Sequence, residues 1–281
     1  MEKIGSGIYI EKSYPGVIIG AVPLGDAVLL IDSPLRPDDG RSWLATLRGI
    51  KGGADRILVY LDSHTDRTLG GRVMESTIFA HENVLKEFES RTSIFKAQVP
   101  EIGTEWEICT GLSGIRWMAP HVAFSDKASL LWKDTEIILE HHPGPDNGSI
   151  WVILPEEETI FIGDLVSLSQ PPYLNNADLG AWEESLDILS KEYKNHTLIS
   201  SRDGIISDRD IRDMKKFISN VHKQLERMAR RNTNPQNTEK MIDKLLSQFD
   251  FAPRFRDQYY QRLQHGLLHC YSKRYLQLKD S

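Results

Sequence analysis

The chain has 281 residues, 40% of them hydrophobic and 26% charged, and carries a net charge of −6 at pH 7. This is the composition of a globular protein with a sizeable core. The longest apolar runs, such as 27–31 and 150–154, are strand-sized, far short of the roughly 20 residues that a membrane-spanning helix needs. No apolar leader opens the sequence, so a cytoplasmic location is expected. Cys109 and Cys270 stand far apart and fit no CxxC pattern, so they imply neither a disulfide framework nor a cysteine-rich zinc site.

In chain order, apolar runs at 16–22 and 27–32 flank a Leu24-Gly25-Asp26 turn and read as a hairpin. Trp43, Leu44, Leu47 and Ile50 recur at helical spacing, 56–61 reads as the next strand, and 82–89 as a helix. From 108 to 165 the chain reads almost wholly as strands, at 130–132, 136–140, 149–154 and 159–162, separated by turn signals rich in Pro, Gly, Asp and Asn. Trp182, Leu186, Leu189 and Tyr193 mark one helical face before a last strand at 197–200. Strands and helices mixed in this order predict a layered α/β domain with helices outside the sheets.

Beyond Ser207 the pattern becomes helical. Ile211, Met214, Phe217, Val221, Leu225 and Met228 keep three- and four-residue spacing, and a polar break follows at 230–235. A short helix near 241–249 comes next, then a longer one from Pro253, a favoured first-turn residue, with Phe255, Tyr259, Leu263, Leu267 and Cys270 on one face. Basic residues outnumber acidic ones from Ile205 onward, whereas acidic residues dominate before it. Because the basic residues are interspersed with acids and the helices carry long apolar faces, packing on the main domain or in a homodimer is expected rather than nucleic-acid binding. The division expected is 1–206 for the α/β domain and 207–281 for a helical extension.

Three segments carry the chemistry. Val59-Tyr-Leu-Asp62-Ser-His64-Thr-Asp66-Arg67-Thr-Leu-Gly70-Gly71 follows a strand directly. It resembles the metallo-β-lactamase superfamily signature H-x-H-x-D-H-x-x-G-G. His141-His-Pro-Gly144-Pro145-Asp-Asn-Gly148-Ser-Ile is similar to that family's H-T-P-G-H-x-x-G-S-I, and Ile160-Phe-Ile-Gly163-Asp164-Leu-Val to its F-x-G-D-L strand end. Ile31-Asp32-Ser33-Pro34 looks like the family's I-D-T-G turn, and Ser201-Arg202-Asp203-Gly204 like its P-G-H-G turn. The resemblance covers about 1–216. It implies a four-layer αββα sandwich of two mixed sheets flanked by helices, with a small-molecule pocket at one edge.

The departures bear on function. Asp62 stands where the first His is expected, Arg67 where the last is, Pro145 at the His of the second segment, and Asp203 at the His of the final turn. The ligand set implied by the resemblance becomes Asp62, His64, Asp66, Asp164 and Asp203, with Asp66 and Asp164 as catalytic candidates and Arg67 and Tyr173 lining the substrate pocket. One imidazole and four carboxylates make a hard, oxygen-rich set, suited to one or two Mn²⁺, Fe²⁺ or Mg²⁺ ions more than to Zn²⁺. Arg67 brings a permanent positive charge into the same place. His141 and His142 are either replacement ligands or structural residues.

Two functions of different class fit these residues. One is a divergent hydrolase in which a divalent metal activates water against an ester, thioester or phosphoester. The other is a catalytically inactive binding or assembly module that binds no metal, with Arg67 in the metal's place. No Gly-x-Ser-x-Gly elbow, phosphate loop or dinucleotide fingerprint offers a further chemistry.

Overall fold

A computed structural model describes residues 1–5, 7–50, 55–97 and 102–276. The last five residues of the predicted helical extension lie outside the described residues. The first sheet runs β1 (Glu2–Ile4), β2 (Ile8–Glu11), β3 (Ile19–Pro23), β4 (Ala27–Ile31), β5 (Asp55–Val59), β6 (Thr77–His81) and β7 (Val122–Phe124), in that spatial order. Its first four strands pair antiparallel, and β4 to β7 pair parallel. Helices α1 (Pro37–Leu47), α2 (Thr65–Thr68) and α3 (Glu82–Ser90) interrupt it in sequence.

The second sheet contains β8 (Lys127–Trp132), β9 (Thr135–His141), β10 (Ile150–Leu154), β11 (Thr159–Phe161), β12 (Thr197–Ser200) and β13 (Gly204–Ile206), in the order β13-β12-β11-β10-β9-β8. Only β11 and β12 pair parallel in it. Helix α4 (Leu179–Glu192) makes the β11 to β12 crossover, and α5 (Asp208–Arg230), α6 (Ile242–Leu246) and α7 (Arg256–Cys270) follow.

Three apolar layers fix the stacking. Ile10, Leu29, Ile31 and Val59 of the first sheet meet Leu139, Val152 and Phe161 of the second in the central core. The outer face of the first sheet, through Ala21, Leu30 and Leu58, packs on Trp43 of α1 and on Val84 and Phe88 of α3. The outer face of the second, through Trp151 and Ile160, packs on Trp182 and Leu186 of α4, Met214 and Val221 of α5, and Leu263 and Leu267 of α7. The result is an αββα sandwich. Strands β4 and β10 are buried at every residue, which is why their sequences are continuous apolar runs instead of alternating ones.

The helices after Ser207 share one continuous core with the second sheet. Their apolar faces are therefore covered within the chain, and burying them requires no second copy. Residues 109–121, expected to be extended, differ from that reading. Among the described residues they hold no strand, only an isolated bridge between Ile94 and Arg116. Gly111 and Gly114, at φ of 78° and 90°, turn the backbone out of the extended region there.

Leu263, fully buried between α7 and the second sheet, tests this arrangement. Leu263→Ala is expected to cost about 2–5 kcal/mol, read as a lower urea midpoint of a single unfolding transition.

Candidate functional site

Parallel pairing places the C-terminal ends of β4 and β5 side by side, and likewise those of β11 and β12. All four ends open on the same edge of the sandwich, where the sheets are stitched together. Ile18 N–H donates to Ser201 O at 2.8 Å, and Ile150 N–H to Leu61 O at 2.9 Å. Asp32 leaves β4, the segment from Asp62 to Arg67 leaves β5, Asp164 leaves β11 and Arg202 leaves β12. Ligand sites in open α/β sheets form at strand C-terminal ends for this reason. Asp32 sits at φ 60°, a conformation that Asp tolerates better than most residues.

The polar centre of this edge is a two-arginine cluster. Arg67, fully buried, donates from Nη1 to Asp32 Oδ2 at 2.9 Å and to Ser201 Oγ at 3.2 Å, and from Nη2 to Asp164 Oδ1 at 2.5 Å. Its Nε faces Asp62 Oδ1 at 2.9 Å. Arg202 grips Asp164 with both prongs of its fork, Nε to Oδ1 at 3.0 Å and Nη2 to Oδ2 at 2.9 Å. Its Nη1 donates to Asp66 Oδ2 and to Gly16 O at 3.2 and 3.1 Å. Asp164 is thus shared by two guanidiniums. Burial opposes its charge, yet Arg202 and Arg67 hold its carboxyl well below the usual range.

Electrostatics elsewhere in the cluster follow the same balance. Burial, with Asp62 and Asp164 nearby, pushes Asp32 up to about 7 against the pull of Arg67 and the Leu61 N–H. Burial also opposes ionisation of Asp62, but Arg67 and His64 prevail and its carboxyl is lowered. His64 Nδ1 lies 2.9 Å from Asp62 Oδ1, which also accepts the His64 N–H at 2.8 Å. Burial works against the imidazolium, but Asp62 raises His64 to about 9.

Tyr173 donates its hydroxyl to Asp66 Oδ2 at 3.2 Å, and its ring lies beneath Arg202 and Arg262, at 5.2 and 4.2 Å from their guanidinium carbons. Arg262 arrives from α7 and is almost completely buried. It is bound by Gly103 O, Gln170 Oε1, Pro171 O and Glu105 Oε1. Only glycine fits at 103, where φ is 69° and a Cβ would stand 2.2 Å from Gln258 O. The Gly70-Gly71 pair of the first motif also answers to packing. A Cβ at Gly70 would lie 2.0 Å from Pro34 O, and one at Gly71 1.7 Å from the Tyr60 hydroxyl.

The structure therefore brings Asp62, His64, Asp66, Arg67, Asp164 and Tyr173 together. Asp203 is a correction: it stands apart from the cluster, where its carboxylate accepts the N–H groups of Leu168 and Ser169 at 2.8 and 2.9 Å. A backbone-capping role follows from its place one residue beyond Arg202, which is the residue that turns inward. His141 and His142 also point elsewhere. His141 stacks on His81 at 3.7 Å, and His142 on Trp151 at 3.5 Å with Nε2 3.0 Å from Glu140.

Asp32, Asp146, Arg91 and Arg262 escaped the sequence reading as site residues, whereas Arg202 stood there only as a pocket candidate of the Ser201-Arg202-Asp203-Gly204 turn, with no role assigned. Asp146, just after Pro145, is buried and accepts Ser63 Oγ at 3.2 Å. An Asp beside a lost ligand position and an Arg beside another were the available signals.

A pair of metal ions does not fit this arrangement. Asp62, His64 and Asp164 each bring a ligand atom within 4.8 Å of the others, but Arg67 is already seated on Asp62 and Asp164. At an effective dielectric of about 20, a dication about 4 Å from one guanidinium is repelled by about 8 kcal/mol, and here there are two. The carboxylate charge that two metals would neutralise is neutralised by Arg67 and Arg202.

No protein-family model matches the sequence, and no curated protein matches it. The fold does have solved counterparts. It is similar to a metallo-β-lactamase from Pontibacter korlensis at a TM-score of 0.61 and 16% identity, over 78% of this chain and 98% of that one. It is also similar to the stereoselective inverting sec-alkylsulfatase Pisa1 from Pseudomonas sp. at a TM-score of 0.68 and 12% identity, over 95% of this chain. The chain spans about half of that sulfatase, 49% of its length. The sandwich is the metallo-β-lactamase fold, shared here with hydrolases.

Two measurements probe the cluster. Arg67→Ala leaves Asp32, Asp62 and Asp164 facing one another without their common cation, at an expected cost of about 3–5 kcal/mol. Arg67→Lys should recover little of it, because one ammonium cannot span three carboxylates. His64 also predicts a pH dependence. Its value is about 9 in the folded chain against an ordinary 6.5, so its stabilisation is full below the ordinary value and lost as pH rises through the folded one. The melting temperature should fall across that window, with a shallower slope in His64→Gln.

Proposed function

We propose that this chain uses a hydrolase sandwich without a metal, as a binding protein for a small molecule. The observation that carries this reading is Asp164 held between two guanidiniums. In the family that the sequence resembles, the equivalent Asp bridges two metals. Here the bridged charges are built into the chain, cannot dissociate and present no bound water to activate. What remains functional at this edge is the cavity beside the cluster, about 250 Å³ in volume and lined by His64, Asp66, Tyr173 and Arg262 among others.

The competing reading is a hydrolase with one divalent metal on Asp62, His64 and Asp164, acting on an ester, thioester or phosphoester. Its support is the closeness of those three donors. It requires Arg67 to withdraw from two of them, breaking contacts with Asp62 and Asp164 inside the core.

Metal content and thermal stability separate the two. The protein purified without chelators is expected to carry no stoichiometric Mn, Fe or Zn, and its melting temperature to stay unchanged by EDTA or by excess Mn²⁺ or Zn²⁺. Close to one metal per chain, with a melting temperature that falls in EDTA, would overturn the metal-free reading and favour the competing one.

A further inference from the structure

Helix α5 sorts its side chains onto two faces. Ile211, Met214, Val221 and Leu225 are buried in the core shared with α4 and the second sheet. The opposite face carries Arg212, Lys216, Lys223 and Arg227, with Arg231 just past the helix end, and all five are exposed. Four- and seven-residue spacing keeps them on one side of the helix, along about 28 Å at 1.5 Å per residue. Two grooves follow this face. Arg212, Lys215, Lys216 and Lys223 line one, and Arg227, Arg231 and Lys240 line the next. Neither lining contains an acidic residue.

Along the sequence these cations are interspersed with acids, but in space the two are sorted. Asp208 and Asp210 stand in the first turn, ahead of the stripe, and Asp210 is bound to Ser207. Glu226 faces His222 and Arg230, Glu239 accepts the Tyr260 hydroxyl, and Asp243 pairs with Arg256. Asp187 and Asp213 do reach the stripe, where they hold Lys215 and Lys216. Arg212, Lys223, Arg227, Arg231 and Lys240 have no ion pair among the described residues. A chain of net charge −6 thus concentrates unpaired positive charge on one face, which draws an anionic partner there.

The surroundings choose among anionic partners. None of the exposed large apolar residues, Met1, Ile108, Val122, Leu131 and Ile205, lies on α5, so the face has no wedge to insert into a membrane. Neither lining has an aromatic residue to anchor a protein interface or to stack single-stranded bases. Apart from Met228 and Met241, the cations are accompanied by Ser219, Asn220, Gln224, Thr233 and Asn237. Hydroxyl and amide side chains of this kind contact phosphate and sugar in DNA complexes.

We propose that the outer face of α5 binds the phosphate backbone of double-stranded DNA without reading its sequence. Its length matches about eight base-pair steps at roughly 3.4 Å each, and its unpaired cations would displace the counterions of about five phosphates. The face shares no residue with the cavity beside the arginine cluster, so binding here is independent of whether that cluster takes a metal.

The test is fluorescence anisotropy of a labelled duplex of about 20 base pairs, titrated with the full chain at about 50 and about 200 mM salt. Binding is expected at the lower salt and should weaken by roughly several hundredfold at the higher, as about five released counterions require. Lys223→Gln combined with Arg227→Gln should weaken binding by about tenfold or more and flatten the salt slope by about two. Its melting temperature should not move, because both side chains are exposed. Lys3→Gln combined with Arg48→Gln removes the same charge from exposed positions on β1 and just after α1, and should leave binding as it is. No binding at the lower salt, or a loss in the α5 double variant no greater than in the other, overturns the inference. Displacement of the duplex by phosphatidylserine vesicles or poly-L-glutamate at equal total charge overturns it in favour of a membrane or an acidic protein segment.

Discussion

Asp164 is the carboxylate around which the other groups of this edge are arranged. A buried carboxylate is tolerated only when opposite charge and hydrogen bonds compensate the water it has lost. Arg202 meets that demand with a two-pronged fork and Arg67 with a third bond. Each arginine then has its own charge to satisfy. Arg67 draws in Asp32 and Asp62, and Arg202 draws in Asp66. The four strand ends that deliver these residues come from both sheets, so the cluster also ties the sheets together at this edge.

This chain of demands gives the site a form of order that a metal centre would otherwise supply. A dinuclear centre imposes geometry through coordination. Here the geometry comes from the planar, directional guanidinium fork, which matches a carboxylate edge to edge. Unlike a metal, an arginine offers no open coordination position and no route to a lowered water pKa. On the metal-free reading proposed above, the sandwich is kept without the chemistry that two metals would supply, and fold and function part company.

The helices beyond Ser207 are part of the same arrangement. Arg262 on α7 reaches back to the loop at Gly103 and to the segment at Gln170 and Pro171, and its guanidinium covers the Tyr173 ring. That ring in turn lies against His64 and holds Asp66. One wall of the cavity is thus set by packing from the end of the chain, while Arg91 sets another from just beyond α3. Separating the chain at 206 would divide a core that Trp182, Val221 and Leu263 share.

The sequence by itself determined the fold class and most of the residues at the edge. Continuous apolar runs at 27–31 and 150–154, helical periodicity around Trp182 and after Ser207, and three motifs in order all report local preferences that survive into the structure. The resemblance that those motifs carry implied that Asp62, His64, Asp66, Arg67 and Asp164 share one pocket, and the strand ends deliver them to the same edge. Only the tertiary structure decided what those residues do. Whether Asp203 or Arg202 turns inward depends on the path of one tight turn against the Leu168 backbone, a contact between segments 35 residues apart. Whether Arg67 or a cation sits on Asp164 depends on the balance of buried charges from four separate loops. No spacing along the chain encodes that balance, since it is a property of distances across the sandwich.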